Sequence, residues 1–240
     1  MKAKVLLYDI ETSPNLAYVW GKYEQNVIAY EKEWEMLCFA YKWLDEPQVY
    51  AVIKGSDKTD KKLCVRLHEL MSEADIIIAH NGDSFDIKKS KARFLYHGLK
   101  PIPPKTSIDT KKVARHDFAL NSNKLDDIGN YLGLGRKEKT DGFDLWLGCM
   151  RNDPKSWEKM VKYNKQDVLL LEKVYLAMRP WMIKHPQLSL LQDVKDACPK
   201  CGSLEIKKKG FRANFTTMSQ QMYCNDCKGW FLRPYKRIAK

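Results

Sequence analysis

Apolar and polar positions change their spacing several times along this chain, and each change marks an element. Val5 to Glu11 is an apolar run that reads as a strand. Met36–Leu44 and Gln48–Ile53 read as two more, with Asp45, Glu46 and Pro47 as the turn between them. Three strands joined by short connections predict an antiparallel meander. From Thr59 the apolar residues Leu63, Leu67, Leu70 and Met71 adopt helical spacing. The β-branched run in "DIIIAHNGDSF" suits a strand buried on both faces. "FDIKKSKARFLYHGL" is helical and stops near Gly98, and "KPIPP" is a loop. Thr106–Thr110 is a short strand that leads to a helix starting near Lys111. "NKLDDIGNYLGLG" is a helix with a glycine-rich end, and the longest helical pattern runs from about Pro154 to Met178. Strands first and strand–helix alternation later predict an α/β mixed sheet, meander plus parallel strands, flanked by helices.

The pattern breaks after about Asp193, where lysines, glycines and paired cysteines replace the amphipathic spacing. The expected organisation is therefore a main domain over residues 1–193 and a small one over 194–240, with the boundary near 190–197. No internal repeat or low-complexity tract interrupts either part.

Candidate chemistry begins at the first strand, whose apolar run meets Asp9 and Glu11. Side chains alternate along a strand, so these two carboxylates share a face. Adjacent like charges repel, and a divalent cation between them resolves the conflict. Asp86 follows a buried strand at the start of a helix, where α/β proteins gather functional groups. Tyr163 and Asp167 are four apart on a helix, hence on one face, and Asp167 sits against Val168, Leu169 and Leu170. Each residue also has a plain structural reading. Asp86 serves equally as an N-cap, Asp167 as a solvent-facing helix residue and Tyr163 as a core aromatic. Asp109, before Thr110 and Lys111, fits an N-cap, and His80 is a strand-end residue without a catalytic role.

Composition adds a partner class. The chain has 240 residues, 44% hydrophobic and 30% charged, enough for a packed core. Lys+Arg number 42 against 30 Asp+Glu, and the net charge of +12 favours a polyanion, nucleic acid before membrane. An inert basic surface is the competing reading. No leader is expected, because Asp9 and Glu11 interrupt the early apolar run. Nothing approaches the ~20 apolar residues of a membrane-spanning helix. A cytoplasmic location follows, with Cys38, Cys64 and Cys149 as ordinary buried thiols.

Taken together, "YDIET", "HNGDSFD" and "YNKQD" resemble, in order, the three motifs of the DEDD superfamily of 3′→5′ exonucleases, on the ribonuclease H-like fold. The Tyr-x-x-x-Asp of the third motif is that of the tyrosine subtype. Lys162 stands where the histidine subtype carries its His. The resemblance spans about residues 1–180, and "SNKLDDIGNYLGLGRK" resembles the segment between motifs two and three. The insert from Ser13 to Glu35 resembles that of phage-borne members, which implies a bacterial or phage-infected cell.

The resemblance implies two Mg²⁺ or Mn²⁺ ions on Asp9, Glu11, Asp86 and Asp167. Asp9 would bridge both. Glu11 and Asp167 would hold the ion that activates water, and Asp86 would serve the ion at the leaving 3′ oxygen. Tyr163 would orient the attacking water, and the product would be a nucleoside 5′-monophosphate. The expected substrate is DNA rather than RNA. RNA trimming, structure-selective endonuclease action and silent nucleic-acid binding are the alternatives. Asn81 and Phe85 are candidates for the terminal nucleotide, with Phe85 as a stacking ring or a core residue under the site. Lys124, Arg136 and Lys137 are candidates for phosphates, or solvated cations.

Cys198, Cys201, Cys224 and Cys227 form a Cys-x2-Cys, x22, Cys-x2-Cys array. Two such knuckles close a tetrahedral structural Zn²⁺ site, and the pattern resembles a zinc ribbon. From Asp196 onward there are 10 Lys+Arg and 3 Asp+Glu. With −2 from Zn²⁺ and four thiolates, that module nets about +5. Its basic residues Lys207, Lys208, Lys209, Arg212, Arg233, Lys236 and Arg237 lie among Phe211, Phe215, Tyr223, Trp230 and Phe231. Nucleic-acid binding is the expectation, with a protein partner as the alternative.

Overall fold

The computed structural model describes residues 3–23 and 26–237. Its main sheet has five strands in the order β5-β4-β1-β6-β7. These are β1 (Val5–Thr12), β4 (Met36–Trp43), β5 (Tyr50–Ile53), β6 (Ile76–Ala79) and β7 (Thr106–Asp109). β1, β4 and β5 pair antiparallel, while β6 joins β1 and β7 joins β6 in parallel. The sheet is thus the mixed, ribonuclease H-like one expected.

Two apolar layers follow from the alternation in β1. Leu6, Tyr8 and Ile10 pack on one face with helix α1 (Lys61–Glu73) and with Phe94 of α2 (Asp86–Tyr96). Val5 and Leu7 point to the other face, into a cluster with Ala114 of α3 (Thr110–Asp117), Ile128 of α4 (Leu125–Tyr131) and the apolar side of α6 (Pro154–Met178). By the same alternation Asp9 and Glu11 face α6. The long helix starts at a well-formed cap. Asp153 accepts hydrogen bonds from the Ser156 backbone N–H at 2.8 Å and its hydroxyl at 2.6 Å, with Pro154 next in line.

Four elements of the main domain, two strands and two helices, lie outside the pattern read from the sequence. The connection from β1 to β4 is a hairpin of β2 (Leu16–Tyr18) and β3 (Ala29–Lys32), closed at its base by the Ser13 N–H donating to the Glu35 carbonyl at 2.9 Å. Helix α5 (Phe143–Met150) packs on α6 at Gly148, where a Cβ would come within 2.6 Å of the Ser156 Cβ. A short helix, α7 (Leu188–Leu191), adds Leu188 to the main core.

Beyond it a separate three-stranded antiparallel sheet, ordered β10-β9-β8, contains β8 (Ile206–Ala213), β9 (Thr217–Cys224) and β10 (Trp230–Arg237). Its interior consists of the four cysteines with Ile206 and Phe231. Among the described residues no helix is long and apolar enough to cross a membrane.

Candidate metal centre

β1 and β6 pair from Val5↔Ile76 to Leu7↔Ile78 and then part. Asp86, the first residue of α2, fills the gap, its Oδ1 accepting the Ile10 N–H at 3.2 Å. The turn before it is tight. A Cβ on Gly82 would stand 2.5 Å from that of Ala79, and Asn81 takes a φ of 67°. Asp86 is therefore a buried side chain tied to β1, and the N-cap of α2 is Phe85. Asp109 takes the capping role expected of it, accepting from the N–H groups of Lys111 and Lys112.

Across from β1, α6 presents Tyr163, Asn164 and Asp167. Carboxylate oxygens of Asp9, Glu11 and Asp167 lie within 4.8 Å of one another. Asp86 lies outside that set but beside Asp9, and it is the strongest charged neighbour acting on it. Burial first, then Asp86, Glu11 and Asp167, hold the Asp9 carboxyl well above the usual range. Burial and then Asp167 push Glu11 up to about 8, and burial pushes Asp86 up to about 7. Burial also raises Asp167, against the opposing pull of Lys137.

Two residues of this centre carry no motif signal. Asn164 is fully buried and donates to the Asp9 carboxylate at 2.7 Å and to its backbone carbonyl at 3.2 Å. Its polarity inside the apolar stripe of α6 was the available clue. Trp146 of α5 lies beside Glu11, restraining the rise of its carboxyl, and meets the Tyr163 ring edge-on, with centroids 6.1 Å apart. Lys137, a candidate for phosphates or a solvated cation, stands at the acid cluster. Its ammonium stands 2.6 Å from Asp167 Oδ2 and donates to the Tyr163 hydroxyl at 2.9 Å. The reason is electrostatic, since it is the cation nearest a concentrated negative charge.

The other candidates are dispersed. Phe85 exposes 36% of its surface beside Asp86, so it is not a core ring. Asn81 accepts from Lys111 Nζ at 3.3 Å. Lys124 is exposed at the N-cap of α4, and Arg136 pairs with Asp126. His80 is pulled down to about 4 by burial. Its Nε2 meets the Asn123 carbonyl at 3.0 Å, so that nitrogen carries the proton, and Thr110 Oγ1 lies 2.9 Å from Nδ1.

The donor set fits hard divalent cations such as Mg²⁺ or Mn²⁺, which prefer oxygen. Neither Asp167 oxygen receives a hydrogen bond of regular geometry from any described residue, despite the nearby ammonium. Oδ2 already faces the Lys137 ammonium, so it is Oδ1, without a partner among the described residues, that calls for a cation. A second grouping, Asp60, Cys64 and His97, is already neutralised, because Arg93 donates to both Asp60 oxygens.

The four cysteines converge as the array predicts, with all Sγ atoms within 4.8 Å. Cys198 and Cys227 Sγ are 3.7 Å apart, and those of Cys201 and Cys224 are 3.6 Å apart. The edge of a tetrahedron with ~2.3 Å Zn–S bonds is about 3.8 Å. Within the cluster the neighbouring thiols hold Cys227 below and Cys198 above the ordinary thiol value, so protons are shared among the sulfurs.

Residues 6–179 match the model of the RNase_H superfamily. A DNA polymerase of Methanocaldococcus jannaschii is 23% identical over 199 residues, covering 70% of this chain and 11% of the polymerase. This chain thus spans about a ninth of that relative. The solved family B DNA polymerase of the archaeon Pyrobaculum calidifontis superposes with a TM-score of 0.58 at 13% identity, over 90% of this chain and 32% of the polymerase. That likeness is one of fold.

Proposed function

Because the chain belongs to the RNase_H superfamily, we propose that it is a metal-dependent 3′→5′ exonuclease of the DEDD type, tyrosine subtype, acting on DNA. Residues 1–193 carry the chemistry and residues 194–240 form a zinc ribbon. The observation that carries the reading is the carboxylate cluster of Asp9, Glu11 and Asp167, with Asp86 at its side. The similar DNA polymerase of Methanocaldococcus jannaschii supports DNA as the strand.

Asp9, Glu11, Asp86 and Asp167 are the residues that would hold a pair of divalent cations. Such a pair supplies a nucleophilic water at neutral pH and stabilises charge on the leaving oxygen. The protein's own groups supply position. Asn164 fixes the Asp9 carboxylate, and Trp146 stands beside Glu11. Tyr163 is raised above its ordinary value by burial and then by Asp167. It therefore stays protonated and orients the water as a hydrogen-bonding group without taking its proton. The Phe85 ring stacks on the terminal base. The water oxygen bonds to phosphorus, losing a proton to solvent, as the P–O3′ bond breaks, the 3′ oxygen takes up a proton from solvent, and a nucleoside 5′-monophosphate leaves.

The test uses DNA and RNA oligonucleotides labelled at either end, with Mg²⁺, with Mn²⁺ or with neither. The 5′-labelled strand is expected to shorten one nucleotide at a time with metal present, and Asp167→Asn is expected to abolish this. Cleavage that proceeds past a blocked 3′ end would establish an endonuclease instead, and full activity in Asp167→Asn would remove the acid cluster from the chemistry.

A further inference from the structure

Residues 206–237 contain eight Lys+Arg and one acid, Asp226. Lys207, Lys208, Lys209 and Arg212 are exposed on β8, and Lys236 and Arg237 on β10. None of these six makes an ion pair among the described residues, although Arg233 pairs with Asp196 at 2.9 Å. The sheet also exposes aromatic rings in the same region. Phe211 pairs in register with Gln220, and Gln220 with Arg233, so the three share one face. Tyr235, at the bulge in β10, reaches the Phe211 ring at a centroid distance of 4.8 Å. The two rings are 50% and 62% exposed, and Phe215 at the β8–β9 turn is fully exposed. Such rings in water are a loss unless something covers them.

We propose that this face is a nucleic-acid-binding surface for single strands, with Phe211 and Tyr235 stacking on unpaired bases and the flanking cations meeting phosphates. Charge selects the occupant, because unpaired cations on both edge strands complement a polyanion and a neutral peptide would leave them unmatched. Exposed rings select the single strand, since the bases of a duplex are already stacked. The site deepens the exonuclease reading by naming its substrate class, and it rests on that reading only for the link to trimming. The carboxylate centre repels phosphates until cations load it, so a separate basic surface is what holds the strand.

Binding is measured by fluorescence anisotropy with labelled oligo-dT, oligo-U and duplex DNA across a salt series. No Mg²⁺ or Mn²⁺ is added, so no cleavage occurs, and no chelator is used, so zinc stays. Single strands are expected to bind more tightly than duplex, and the DNA and RNA arms report which sugar is preferred. Phe211→Ala is expected to weaken binding about five- to a hundred-fold, and Phe211→Tyr to restore it. Lys208→Gln and Lys236→Gln, the two unpaired lysines in register with that face, should together reduce the slope of log affinity against log salt by about 1.4. Zinc content confirms that each variant is folded. Equal affinity for duplex, or an unchanged affinity and slope in both variants, overturns the proposal and leaves the face to a protein partner. A chain that binds in this way but never trims would overturn the exonuclease reading alone.

Discussion

The carboxylate centre and the cysteine cluster both gather four side chains of like charge, and they do so by opposite means. The carboxylates sit on β1, α2 and α6, elements already held by two apolar layers of the main domain. Their convergence is imposed by a fold that exists without any ion, and the repulsion is partly relieved by Lys137 and Asn164. The cysteines have no such frame, for in their small sheet they are themselves the interior. On the proposed reading, an ion added to the first site enables chemistry, and one added to the second makes the fold.

The sharpest way to break that contrast is to remove ligands from each side. Cys224→Ser is expected to unfold residues 194–240, because structural Zn²⁺ contributes on the order of 10 kcal/mol to such modules. Limited proteolysis should then cut only there, leaving a stable fragment of the main domain. A ribbon that survived would show that its apolar contacts suffice. Asp9→Ala should behave in the reverse way, with cleavage falling by about 10³-fold or more while the metal-free melting temperature holds or rises. A large drop in melting temperature would mean that Asp9 supports the fold.

A finer test uses pH. The folded-state values of Glu11, about 8, and Asp86, about 7, lie above their unfolded ones, so the native state binds more protons in between. Metal-free stability of the main domain should therefore rise as pH falls from about 8 to about 4.5, and be lost as pH climbs back through 8. A gain of ~1 kcal/mol would move the melting temperature by about 2–4 °C in scanning calorimetry. Saturating Mg²⁺ should flatten the dependence, since the cation replaces the proton. The smallest expected effect is at Lys137. Lys137→Gln removes the counter-charge of Asp167 and should lower metal-free stability at pH 8 by about 1 kcal/mol, a value reduced by partial exposure. With Mg²⁺ the difference should shrink.

What the sequence made legible follows the same division. Leu6, Tyr8 and Ile10 alternate with Leu7, Asp9 and Glu11, so β1 announced both its burial and its reactive face. Cys-x2-Cys spacing is equally local, and the cluster converged as read. Lys137 was not legible, because its position depends on where a glycine-rich loop crosses α6, which no periodicity encodes. Trp146 lies on a short helix whose apolar residues lack a clear period. The β1–β4 hairpin escaped because its strands are short and exposed, with no buried face to imprint a pattern. Asn164 was visible as an anomaly but not as a partner of Asp9.

The parting of β1 from β6 beyond Leu7 and Ile78 gives Asp86 a second duty. Its Oδ1 substitutes for a missing rung of backbone pairing by satisfying the Ile10 amide. Truncation to alanine would orphan that amide, a penalty of roughly 1–3 kcal/mol. Asparagine keeps a carbonyl in the same spot. Of the four acids, this one is therefore where an alanine variant would confound architecture with reactivity, and where the isosteric amide separates them.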